Sequence, residues 1–203
     1  MPRFPLPALL VPLLFASACG RGNSDLLPAP LPPGWQEELA SARRSADAFM
    51  RSEASPLPEA DRGSFPGLSF FPPDSTFRFV VRPDRRDAGT PVTLLDTKGK
   101  LRSYVVDARL HLAHDGRGFT LTVYRTPDDD HLFLPFQDAT TGEETYAVGR
   151  YLDPEPRADG ALVVDFNYAY NPYCAYGDGW ACPLVPEENH LSLPIRAGEK
   201  AYH

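Results

Sequence analysis

The sequence predicts a mainly β protein, an antiparallel barrel or sandwich of about seven strands preceded by one amphipathic helix. Three observations carry this. First, 23 prolines and 15 glycines in 203 residues break the chain into short segments and leave little room for long helices. Second, short runs rich in Val, Phe, Tyr, Leu and Thr recur between turn residues through the middle of the chain. Third, these runs do not alternate with helical patterns, which excludes a doubly wound α/β fold.

The chain opens with Arg3 followed by an apolar run from Pro5 to Ala18, ending Phe15-Ala-Ser-Ala-Cys19. A positive start, an apolar stretch and small residues before a cleavage point are the marks of an export leader. The run is too short to span a bilayer, which needs about 20 apolar residues. Small residues before Cys19 resemble a lipobox, in which the cysteine is lipidated and becomes the new N-terminus; Ala16 stands where Leu is usual. We therefore expect a lipoprotein leader over 1–18, with Cys19 as the lipid anchor and the membrane as a partner through that lipid. The alternative is an ordinary leader cut near Ala18 that leaves Cys19 a free thiol. Residues 19–33, Gly- and Ser-containing and then proline-rich, have the composition of a tether. Residues 34–203 then form one mainly β domain, exported and lying on the periplasmic or extracellular side of the envelope.

Residues 35–51 predict a helix. Trp35, Leu39, Ala42, Ala46 and Phe49 recur at spacings of three and four and make one apolar stripe. Candidate strands follow at 76–82, 92–95, 101–112, 119–125, 132–136, 144–150 and 162–166. The segments 97–100, 115–118 and 127–130 read as hairpin connections.

The formal net charge is −7, and loss of Arg3 with the leader takes it to −8. An acidic chain without a basic run excludes nucleic acid as a partner, because phosphate contacts need clustered Lys and Arg. No nucleophile elbow and no His-Glu-x-x-His helix occurs, and the five histidines are scattered, so no metal site or cofactor is expected.

The last third is dense in polar and special residues: "TTGEETYAVGRYL" from Thr140, "DFNYAYNPYCAY" from Asp165, "CPLVPEENHL" from Cys182 and "AGEK" from Ala197. With "FPGL" at Phe65 and "FPPD" at Phe71, these blocks resemble the signature of DUF1684, a bacterial family of unknown function. The resemblance runs from about Phe65 to the C-terminus and implies no activity.

Within these blocks Arg150, Asp165, Asn167, Tyr170, Asn171, Glu188 and Asn189 are the candidate ligand-binding residues. They fall near strand ends and in loops, where sites on β scaffolds usually lie. An arginine with carboxylates and amides can grip a carboxylate or phosphate. The same side chains can instead satisfy the backbone of a long proline-rich loop. Cys174 and Cys182 admit two readings, a disulfide closing the intervening loop and worth about 2.5 kcal/mol, or a thiolate metal site with His190 or Glu188. Two functions follow: a binding or structural module with a small polar ligand, or an enzyme such as a hydrolase acting on a small polar substrate and using Glu188 or Asp165 with Arg150. The oligomeric state is not legible.

Overall fold

The computed structural model describes residues 25–202. The expected leader and Cys19 lie outside the described residues. Among these residues nine short strands form three antiparallel sheets. The first sheet has the order β1-β2-β9-β8, with β1 at Leu26–Leu27, β2 at Arg78–Val81, β8 at Glu155–Pro156 and β9 at Leu162–Asp165. The second has the order β3-β4-β5, from Pro91–Leu95, Leu101–His114 and Arg117–Arg125. The third pairs β6 (Leu134–Phe136) with β7 (Arg150–Leu152). The mainly β, antiparallel expectation holds. No helix among the described residues is long and apolar enough to cross a membrane.

Two details depart from the expectation. Within the segment expected as a tether, Leu26 and Leu27 pair with Val81 and Val80 as an edge strand, and the prolines that follow, lacking an N–H, end the ladder. The expected strand at 144–150 is instead a run of turns. The Thr140 carbonyl accepts from the amides of Glu143, Glu144 and Thr145, and Gly142 and Gly149 take positive φ, so the alternation of Thr145, Ala147 and Gly149 with bulky neighbours only imitates a strand.

Strand β4 carries a bulge between Val106 and Ala108. The extra residue, Asp107, turns its carboxylate to Arg85 at 2.7 Å. The bulge also changes which face is inside. Val106 pairs with Tyr124 and Ala108 with Val123, so residues two apart on β4 oppose neighbours on opposite faces of β5. Val106 and Tyr124 then enter a cluster with Leu94, Phe133, Tyr151 and Cys182. Ala108, Leu110, Leu112, Leu121 and Val123 enter the main core with Phe79, Val81, Phe136, Leu162, Val164, Phe166 and Ile195. One hairpin thus supports two cores.

Helix α1 spans Trp35–Met50, with Arg51 of the predicted 35–51 as its C-cap, and its inward face is turned from the predicted stripe. Trp35, Leu39 and Met50 are buried, Ala46 and Phe49 are half-buried, and Ala42 is exposed. Arg43 lies on the inward side instead, donating to the Phe71 carbonyl at 3.0 Å and lying over the Phe70 ring. A long aliphatic stem lets arginine cover apolar surface while its head finds carbonyls, which a pattern of apolar residues alone cannot show. The C-terminal end of α1 packs through Met50 on a third cluster with Leu57, Phe65, Ala175 and Tyr176.

Candidate functional site

The polar residues picked out in the sequence divide by what their side chains do. Arg150, on β7, is fully buried. Its guanidinium donates to Asp138 at 2.8 Å and to the carbonyls of Ile195, Ala197 and Glu199. Asp138 in turn accepts from the amide and hydroxyl of Thr140 and from the amide of Ile195. Asp165 accepts from Trp35 Nε1 at 2.7 Å and caps the turn that follows β9 through the Asn167 amide. Asn167 reads both backbone groups of Asp74 at 2.8 Å. Asn189 does the same to Thr122, at 2.7 and 2.8 Å, and also donates to the Pro135 carbonyl. All four turn their polar groups to the interior, where Arg150 Nε is left without a partner.

Glu188 is exposed and accepts from the Tyr124 hydroxyl at 2.6 Å. Burial and this carboxylate push the Tyr124 phenol far above its usual range. Arg150, Asp165 and Glu188 thus serve three separate sets of partners, and no contact joins them into one acid–base group.

Tyr170 and Asn171 are placed differently. Both line a cavity of about 490 Å³. Its walls are the end of α1 (Ala46, Phe49, Met50), Tyr151 on β7, and the 170–183 segment. It occupies the gap between the second and third apolar clusters, since Tyr151 and Cys182 belong to one and Met50 and Tyr176 to the other. The Cys174–Cys182 pair is a disulfide with Cα atoms 6.2 Å apart. It fixes the outer wall, where Trp180 and Tyr173 meet edge to face at 4.9 Å and remain partly exposed.

Sequence reasoning missed the group at the centre of this cavity. Glu199 is 3% exposed and lines it together with Asn171 and Tyr176. Its carboxylate accepts from the Tyr176 hydroxyl, from Asn171 Nδ2 at 3.0 Å and from the Asn171 amide at 3.0 Å. Burial dominates these bonds and raises its pKa from 4.5 to about 7. The backbone that delivers it runs beside residues 69–71 on one side and Ala169 on the other. Gly198 makes this possible: its φ is +78°, and a Cβ there would sit 2.6 Å from the Phe166 carbonyl oxygen. A glycine followed by a lone acid in the terminal "AGEK" block was the available signal, but only the fold shows that the acid points inward.

Asn171 holds the second unusual atom. Its Nδ2 is used by Glu199 and by the Lys200 carbonyl at 2.8 Å, which fixes the amide orientation. Its Oδ1 is buried and has no hydrogen-bond partner. Tyr170 donates to Asp153 at 3.1 Å, and His131 approaches the same carboxylate at 3.3 Å. Among the described residues no three of His, Cys, Asp and Glu are grouped to hold a metal.

A family model described as "Protein of unknown function (DUF1684)" matches residues 63–200. The chain is also similar to an uncharacterized protein of Haloarcula marismortui with a solution NMR structure. Identity is 36% over 83% of this chain and 95% of that one, with a TM-score of 0.65. No curated protein matches.

The position of Glu199 has a consequence for stability. An acid whose folded pKa is raised favours the folded state most below its unfolded value, and that contribution is lost as pH rises from 4.5 to about 7. The loss from this group is roughly 3 kcal/mol. Urea unfolding of Glu199→Gln at pH 5 and pH 8 should show a flatter pH dependence than the parent by this order. Equal pH dependence in both proteins would mean that Glu199 ionises in the fold as it does in water.

Proposed function

The chain belongs to the DUF1684 family, and from that premise we propose that it is an exported, lipid-anchored binding module whose ligand occupies the cavity around Tyr170 and Asn171. One observation carries the binding part: the cavity holds a buried acid and an unpaired buried acceptor among aromatic walls. A cavity of several hundred Å³, mostly apolar with a few converging polar groups, has the size and make-up of a small-molecule site. Leaving Asn171 Oδ1 without a partner costs about 1–3 kcal/mol, and burying Glu199 adds to it. Such costs concentrate at functional sites, where a ligand offsets them. Asn167 and Asn189 show the opposite habit, with their side-chain amides bonded internally, and Arg150, although its Nε is unpaired, has its charge balanced by Asp138. The disulfide supports an oxidising compartment, and the leader-like segment before Cys19 supplies the route and the anchor.

The candidate surface therefore narrows from the seven residues read in the sequence to Tyr170 and Asn171, joined by Glu199 and Tyr176. An NMR fragment screen should shift resonances of Asn171, Tyr176 and Trp180. Ala46→Trp, which fills the cavity from α1, should abolish those shifts while the protein stays folded. Shifts that persist in this variant, or that never touch these residues, contradict the cavity as the site. For the anchor, the full-length parent should incorporate labelled fatty acid and sediment with membranes, and Cys19→Ala should do neither. A parent without label contradicts the lipoprotein reading.

A further inference from the structure

We infer that the cavity takes a protonated organic amine, its apolar body among Phe49, Tyr151, Tyr173 and Trp180 and its ammonium held at Asn171 Oδ1 and the Glu199 carboxylate. The inference rests on the binding-module reading above and names the ligand chemistry for it.

Among the described residues Glu199 is the only Asp, Glu, Lys, Arg or His side chain lining the cavity. The charged and titratable groups packed around it come from several elements. Arg150 of β7 is a cation that acts on Glu199, but its side chain is bound to Asp138, so its charge is already balanced. Lys200 turns its ammonium over the Phe71 ring at 4.8 Å. Arg43 of α1 lines an adjoining space that also touches Glu199, and its guanidinium is engaged by the Phe71 and Asn167 carbonyls. Tyr176 is a neutral donor, its phenol pushed up by burial and by Glu199 itself. An ionised Glu199 therefore lacks a counter-cation within the cavity.

Hydrogen-bonding capacity points the same way. The donors at the floor, Tyr176 Oη and Asn171 Nδ2, are used up, whereas Asn171 Oδ1 is an acceptor left over. A ligand must bring donors, and an ammonium brings three. The walls add the third element. Phe49, Tyr151, Tyr170, Tyr173, Tyr176 and Trp180 all line the cavity, and aromatic faces attract a cation while rejecting an anion. This reverses the expectation drawn from Arg150 in the sequence, because with that guanidinium buried elsewhere nothing in the cavity suits a carboxylate or phosphate.

The test uses three probes of one shape, 2-phenylethylamine, 2-phenylethanol and phenylacetate, titrated into the full-length protein and followed by the Trp180 indole and Asn171 side-chain amide resonances. At pH 8 the ammonium should bind at least about tenfold more tightly than the alcohol, and phenylacetate should cause no shift. Lowering the pH from 8 to 6 should weaken the ammonium by about tenfold, as Glu199 takes up a proton while the amine keeps its own. Glu199→Gln should erase the preference of ammonium over alcohol. If the alcohol or the carboxylate shifts these same resonances as strongly as the amine, the amine inference is overturned while the cavity remains a binding site. If no small molecule of any charge perturbs them, the binding-module reading fails and takes the inference with it.

Discussion

A single buried guanidinium fixes the C-terminal segment on which the rest of this structure depends. Arg150 joins β7 to three successive odd-numbered carbonyls, at residues 195, 197 and 199, and Asp138 neutralises it. Those residues have few ladder bonds of their own, since no regular strand is assigned between 193 and 202. The guanidinium substitutes for a neighbouring strand by satisfying their acceptors from one side. Removing one partner of such a buried pair typically costs about 3–5 kcal/mol, because the other charge is left stranded. Gly149 shows how tightly the site is built: at φ +104° a Cβ there would lie 2.6 Å from Val185 and 2.7 Å from the Phe136 carbonyl. Arg150 can enter the core only because the residue before it has no side chain.

From this lock the cavity follows. With Ile195 and Ala197 set in the main core, the next odd position, Glu199, emerges between Phe70 and Ala169, where it meets Asn171 and Tyr176. The bulge at Asp107 and the second cluster it supplies raise the Tyr151 wall. The end of α1 raises the other, and the disulfide holds the outer rim. The cavity is thus a place where three packed units fail to close over one acid. The Arg150 network leaves Arg150 Nε unpaired but balances its charge with Asp138, whereas the Glu199–Asn171 pair keeps an acid of raised pKa and an idle acceptor on a cavity wall. That contrast, within a few residues of the same segment, is the reason for assigning structure to one and function to the other.

The hairpins at 97–100 and 115–118 were legible in the sequence because turn chemistry is local: Asp115 and Gly116 take the positive φ values that a two-residue turn needs. Of the two readings open for Cys174 and Cys182 the fold takes the disulfide, and α1 was legible from its period. What stayed hidden was direction. Arg150 and Asp165 look like ligand-binding groups in a loop-rich sequence, and only the fold reveals that their partners are carbonyls 45 to 49 residues away and a tryptophan 130 residues away. Arg43 was hidden for the same reason, as was the end of the strand pattern at Glu144. Asn171 and Tyr170 were read as part of a polar loop surface, whereas the fold places them on the wall of an aromatic cavity.

The central claim is that Arg150 holds the terminal segment in place and so positions Glu199. Native-state amide hydrogen exchange in Arg150→Lys tests it most directly, since lysine keeps the charge but cannot span Asp138 and three carbonyls. The account predicts that the amides of Phe71, Glu199 and Lys200 lose protection by at least about tenfold while those of β4 and β5 stay protected. Unchanged protection at Phe71, Glu199 and Lys200 would contradict it.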